Sequence, residues 1–464
     1  MKTTVMWFRN DLRVLDNPAF FNSVENSEQV IPLYIIDSKL THGELSSPNR
    51  NKFLLESLLD LDKSLRDLGG KLVIKSGEIE DVFNKLNDDI GIDAVYCSED
   101  FSSYSTKRDE KAKKFLDIIG VEFKSFPGRL IIDDLSLVKT GSNSPYKVFT
   151  PFYNNWVTVD RREITLIPTR IQTPDIKNDE VSIHLDQKYI SPKLQLGGEA
   201  NGLIRLNEFI EKDLSSYLDN HDSLDADRTS KLSSYLHFGC ISPLYIESLL
   251  DSSESAESFR RQLCWRDFYN YILKNNPKSY EEFQKKYLML PWKYDKKLIL
   301  AWEQGLTGYP IVDAAMRQLK ETGWMHNRAR LIVGSFLTKD LFIDWREGEK
   351  YFMKMLVDGD KANNNGNWQW IASVGVDPAP VWRRILNPDS QQEKYDPEAK
   401  YIKKYLPELK NVPIEFISNP QKMSIDQQEK YNCLIGIDYP EKVIDHSKAR
   451  KITLDIFSEI NKMS

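Results

Sequence analysis

An α/β N-terminal domain on a five-stranded parallel sheet, a long linker and an all-α C-terminal domain form the architecture that this sequence predicts. Three observations carry that expectation. Over the first 126 residues, short runs rich in Val, Ile, Tyr and Phe alternate with helical stretches, the pattern of a parallel sheet covered by helices on both faces. From 127 to 196 proline, serine and threonine rise and the periodic stretches shorten. From 197 to 464 strand signals mostly vanish and helical periodicity takes over.

The strands are expected at Thr3–Phe8, Val30–Ile36, Lys71–Ser76, Asp93–Cys97 and Val121–Phe126, each bounded by turn residues. Between the second and third, Leu54, Leu58, Leu61, Leu65 and Leu68 recur at steps of four and three. That spacing puts one apolar face on a helix over 49–68, and Gly69 and Gly70 end it. A second helix is expected over 105–119. The segment 127–196 reads as a connection wrapped over the domains it joins, because so long a loop in a compact protein has to pack. Helices then follow at 202–211, 243–250, 257–274, 296–304, 311–321, 327–341 and 345–356.

Composition narrows the class. Hydrophobic content of 41% and charged content of 28% suit a soluble globular chain. No apolar run approaches the roughly 18 residues of a membrane helix, and the first residues, MKTTVMWFRNDLR, lack a signal-peptide pattern. A cytoplasmic protein without a membrane partner is expected. Cys97, Cys240, Cys264 and Cys433 form no C-x-x-C pair, and the six histidines show no ligand spacing, so no disulfide and no metal site is expected. The net charge of −6 argues weakly against nucleic acid, but a binding face is a local property.

Eight of the ten tryptophans fall between residues 265 and 382. Any one of them is ordinary core material. Together they lie beside Arg, Asn and Asp, as in Trp265-Arg266-Asp267, Asp344-Trp345-Arg346 and Asn367-Trp368-Gln369-Trp370. Aromatics interleaved with cations and amides suit a pocket that stacks a flat ring and binds phosphate. In Thr229-Ser230-Lys231-Leu232-Ser233, hydroxyls and N–H groups meet at a turn entering a helix, a good phosphate site.

Several of these stretches resemble the photolyase/cryptochrome family, and most nearly its class I cyclobutane pyrimidine dimer DNA photolyases. They are TGYPIVDAAMRQLKETGWMHNRAR (307–330), DGDKANNNGNWQW (358–370), TSKLSSYLHFG (229–239), WFRNDLR (7–13) and YKVFTPFYNNW (146–156). The resemblance implies a Rossmann-like first domain and a helical domain that binds FAD. It assigns the cofactor to Tyr217, Thr229, Ser230, Lys231, Leu232, Ser233, Phe259, Gln262, Arg266, Trp324, Asn327, Arg330, Asp358, Asp360 and Asn364. Arg330 and Asp358 would form an ion pair near the flavin ring. Asn364 would face flavin N5, where photolyases carry Asn. Trp368, Trp345 and Trp292 would form an electron wire to the surface.

Trp265 and Trp370 would grip a flipped dimer from two sides. Gln262 and Asn327 would bond it, and Arg266, Arg328 and Arg383 would hold phosphates. The implied function is light-driven repair of cyclobutane dimers in UV-damaged DNA by a monomer. A second antenna chromophore of folate, deazaflavin or flavin type is left open. A cryptochrome-type blue-light sensor and a lyase for another photoproduct, such as the (6-4) product, are the alternatives.

The sequence departs from the family pattern at three points. Gln262 stands where class I enzymes place Glu; it can donate and accept hydrogen bonds but cannot ionise. Phe259 replaces a tryptophan. Leu331 stands where a pocket methionine is common, and Asn327 and Leu331 hold the positions where (6-4) enzymes need a histidine pair, which weighs against that substrate.

Overall fold

The computed structural model describes residues 2–43, 46–180, 183, 185–276, 283–377 and 379–463. Five strands, β1 (Thr3–Phe8), β2 (Gln29–Ile36), β3 (Val73–Ser76), β4 (Ala94–Ser98) and β5 (Glu122–Phe126), form one sheet in the order β3-β2-β1-β4-β5. All pairings are parallel, with Thr3 opposite Gln29 and Thr4 opposite Ala94.

Alternation along β1 decides which side chains go where. Val5 and Trp7 enter a core with Val82, Phe83 and Leu116 on one face of the sheet. Met6 and Phe8 enter the other core, which holds Phe53, Leu58 and Leu61 and runs on through Trp156 to Phe238 and Leu263. That second core joins the sheet to the helices. Helix Pro48–Asp67 supplies its part of it: Ser47 caps the helix, Leu54, Leu58, Leu61 and Leu65 are buried, and Gly69 follows at φ 90°.

The stretch 127–196 packs closely. Helix Phe149–Trp156 lies within it and buries Phe152, Tyr153 and Trp156. Asp267 anchors the stretch by accepting from Trp156 Nε1 at 3.1 Å and from the Ile131 and Ile132 N–H groups at 3.1 and 3.3 Å. Farther on, Gln172 O accepts from Val30 N at 2.9 Å.

The helical half differs from expectation in several places: helices such as Pro388–Tyr395, Lys400–Tyr405 and His446–Met463 were not expected, and two differences lie beside the site. Helix Asn327–Ser335 gives way to a π-helical turn, Phe336–Asp340, rather than running on to 341. Helix Lys361–Ala372 was not expected at all, because its run of Asn and Gly has low helix propensity. Contacts from elsewhere hold it: Asn364 Nδ2 donates to Glu349 O at 3.0 Å, Asn365 Nδ2 to Glu349 Oε1 at 3.1 Å. Gly366 admits the Tyr269 ring, which a Cβ would meet at 2.2 Å.

Candidate cofactor and substrate site

Three segments converge on one site. The turn before helix Ser233–Phe238 is shaped by Arg205, which donates to Thr229 O and Ser230 O, both at 2.9 Å. Lys231 there takes φ 54°, a costly conformation for a side-chain-bearing residue. No side chain caps the helix that follows. The second segment joins the first where Trp324 Nε1 donates to Ser233 Oγ at 3.2 Å. The third joins through two contacts. Arg330 pairs with Asp358 at 2.7 Å, and His237 Nδ1 lies 3.7 Å from Asp360 Oδ2.

Asp360 caps helix Lys361–Ala372 by accepting from Asn363 N at 2.8 Å. Burial alone would raise its carboxyl; His237 and the Asn363 amide outweigh burial and hold it well below the usual range. His326 caps helix Asn327–Ser335 through Nδ1, and burial lowers its imidazole to about 4, so it is neutral at pH 7.

Among the described residues several buried polar atoms of this site have no hydrogen-bond partner, Thr229 Oγ1, His326 Nε2 and Asp358 Oδ1, and His237 Nδ1 has only its 3.7 Å contact with Asp360. Buried polar groups are normally satisfied. The donor set therefore suits a bound group with phosphates at the 229–233 turn and a polar ring near Arg330, Asp358 and Asn364. Tyr217 and Phe259 pack beside it, their rings 5.3 Å apart.

A cavity of about 290 Å³ lies next to this site. Trp265 and Trp370 both line it, as do Phe149, Arg261, Gly366 and Asp377. Trp265 stacks on Phe149 at 3.8 Å and 5°. Trp370 is held by Asp377, which accepts from its Nε1 at 3.1 Å, and by Arg384, whose guanidinium lies 4.3 Å from the ring centre. Helix Lys361–Ala372 thus carries Asn364 near the polar cluster and Gly366 and Trp370 into the cavity.

Other expected site residues fall less simply. Gln262 and Asn327 are exposed. Arg266, expected on DNA as well as cofactor, turns inward and donates to Arg129 O at 2.5 Å and Leu236 O at 3.2 Å. Burial lowers its guanidinium to about 10. Arg328 pairs with Asp222 at 2.5 Å and stacks on Tyr395. Arg383 stays exposed over Trp382.

Of the expected wire, Trp368 and Trp345 are buried, and Trp292 is half-buried against Phe342 at 4.9 Å. Trp368 fits because Gly348 lacks a Cβ, which would meet its ring at 2.1 Å. Sequence reasoning missed Arg205, His237, His326 and Arg384. Arg205 and His237 act across long sequence separations that no local pattern marks; His326, two residues before Arg328, and Arg384, seven after Asp377, act locally, and their residue types alone assigned them no role. Trp302, 6.2 Å from Trp368, was visible in the tryptophan cluster but had no role assigned.

Among the described residues no group of His, Cys, Asp and Glu could hold a metal ion, and no helix is long and apolar enough to cross a membrane.

Residues 4–173 match the family model described as DNA photolyase, and 259–459 the one described as the FAD binding domain of DNA photolyase. The deoxyribodipyrimidine photo-lyase of Alkalihalophilus pseudofirmus is 38% identical over 97% of each chain. A class III photolyase from Agrobacterium tumefaciens superposes with a TM-score of 0.92 at 34% identity, covering 100% of this chain and 98% of that one. An archaeal photolyase from Sulfolobus tokodaii, solved with two FAD molecules, superposes with a TM-score of 0.84 at 33% identity, covering 98% and 100%.

Proposed function

The chain belongs to the photolyase/cryptochrome family, and from that premise we propose that it is a deoxyribodipyrimidine photo-lyase repairing cyclobutane pyrimidine dimers in DNA. One observation carries the reading: the cavity is walled by Trp265 and Trp370 and shares a helix with Asn364 of the polar cluster. A dimer stacks poorly in the duplex, so flipping it into such a cavity costs less than flipping a normal pair.

When bound, reduced FAD would supply the light-driven one-electron chemistry by which the dimer opens. The protein's own residues do the rest. Thr229 and Ser230, with the uncapped helix start at Ser233, hold the phosphates. Arg330 favours negative charge on the ring, and Asp358 fixes Arg330 in place. Trp265 and Trp370 orient the dimer. Gln262 and Asn327, both exposed, would offer it amide hydrogen bonds. Trp368, Trp345 and Trp292 would form the path by which electrons from the surface could reach a bound cofactor. A light-harvesting second chromophore, cytoplasmic location and a monomeric state complete the proposal.

The test is direct. The reduced, FAD-loaded protein is incubated with an oligonucleotide carrying one thymine cyclobutane dimer, in blue light and in darkness, and dimer loss is followed by chromatography. Two thymines restored only in the light support the assignment. A dimer that survives while the flavin still photoreduces overturns it.

A further inference from the structure

We propose that the linker side of the cavity is a phosphate subsite, in which Arg261 and Lys147 hold the backbone of the flipped dinucleotide. This rests on the reading that the cavity takes the dimer. Among the described residues three charged side chains line the cavity: Lys147, Arg261 and Asp377. Asp377 is already engaged, pairing with Arg384 at 2.7 Å and accepting from Trp370 Nε1 at 3.1 Å. Neither Lys147 nor Arg261 has a carboxylate within ion-pair distance among the described residues. The cavity lining therefore carries two cations without a direct ion pair, Arg261 meeting the charge of Glu257 only at longer range, beside a carboxylate that Arg384 neutralises.

Arg261 is held by rings instead. Its guanidinium carbon lies 4.3 Å from the Tyr153 ring centre and 5.4 Å from that of Phe149, the ring on which Trp265 stacks. Glu257, one turn earlier on the same helix, is taken up by Arg260 at 2.8 Å and by the Tyr153 hydroxyl. Ring faces orient a guanidinium without neutralising it and leave its N–H edge free to bond two oxygens of a phosphate. None of those N–H groups has a hydrogen-bond partner among the described residues. Gln262, next in the chain, adds no negative charge of its own.

Arg266 and Arg328 are committed to protein partners, which leaves Arg383 as the exposed cation of the three assigned to phosphates. Lys147 and Arg261 supply cations within the cavity itself. A dinucleotide flipped between Trp265 and Trp370 brings its own phosphates with it, and these are the anions the linker side would meet.

The experiment measures binding of FAD-loaded wild type, R261Q, R261K and K147Q to one oligonucleotide with and without a single thymine dimer. Fluorescence anisotropy is followed over a salt series in the dark. R261Q is expected to weaken binding to the dimer strand about tenfold and to the undamaged strand about twofold, and to lower the salt slope by about one. K147Q should act in the same direction with a smaller effect. R261K should restore most of the slope, because charge rather than shape sets it. An unchanged slope in R261Q at wild-type flavin content overturns the subsite. So does an equal loss on both strands, which would make Arg261 a general surface cation. Light-driven repair by wild type is read in the same samples. If wild type fails there, the lyase reading falls; if it repairs while R261Q keeps its slope, only the subsite falls.

Discussion

The carboxyl edge of the sheet and the polar cluster of the helical half are both rich in charge, yet they are in opposite states. Open parallel sheets usually bind ligands beyond their carboxyl ends, at the point where strand order reverses. Here that point lies between β1 and β4, and the protein's own ion pairs occupy it. Arg9 pairs with Asp109 and donates to Ser98 O, and Arg129 pairs with Asp100. Asp11 accepts from Arg9 N and Ser98 Oγ, both at 2.6 Å. The helical cluster instead leaves Thr229 Oγ1, His326 Nε2 and Asp358 Oδ1 buried without hydrogen-bond partners among the described residues. Such atoms occur elsewhere too, Arg108 Nη2 at the sheet edge among them, so it is their gathering beside the uncapped helix start at Ser233 and the Arg330–Asp358 pair, rather than strand topology, that suits this region to a cofactor.

Paired substitutions would break this comparison most sharply. Removing one partner of a buried ion pair costs about 3–5 kcal/mol. Asp358→Ala should therefore cut FAD affinity by two orders of magnitude or more, read as flavin absorbance per chain after desalting. Arg9→Ala should cost about 3 kcal/mol in urea denaturation while leaving the flavin content at wild-type level. Loss of flavin in Arg9→Ala would show that the two regions are not separate.

A smaller effect lies at the seam between them. Glu199 accepts from Val14 N at 2.9 Å and Leu15 N at 3.0 Å, and burial pushes its carboxyl up to about 7. A carboxyl raised on folding stabilises the protein fully below its unfolded value of about 4.3 and loses that contribution as pH rises through the folded value. Glu199→Gln cannot titrate. Its stability relative to wild type should therefore improve by about 2–3 kcal/mol between pH 4.5 and 7.5, measured by denaturation at each pH. A flat difference would mean that Glu199 is not protonated in the fold.

The smallest effect concerns one hydroxyl. Thr229→Val removes a buried donor that has no partner, so the cofactor-free protein should gain about 1 kcal/mol. FAD affinity should fall about tenfold. A variant that loses stability without losing FAD affinity would show that Thr229 serves the fold alone.

Much of this molecule was legible in the chain. All five strands lie within two residues of their expected positions, because alternation and turn residues act over a few neighbours. The leucine stripe of helix Pro48–Asp67 was equally plain, as was the helix carrying Trp265. The pairing of Arg330 with Asp358 could be named only through resemblance, since 28 positions separate them. What stayed hidden was non-local. Helix Lys361–Ala372 exists against its own propensity because Glu349 and Tyr269 pack on it. Arg266 is adjacent to Trp265 in sequence, yet a carbonyl 137 residues away turns it inward. Local physics determined the elements and the residue types available for chemistry. Only the tertiary packing decided which cations were spent on the protein itself and which were left for a ligand, because pairing depends on distances in space that the order of residues does not contain.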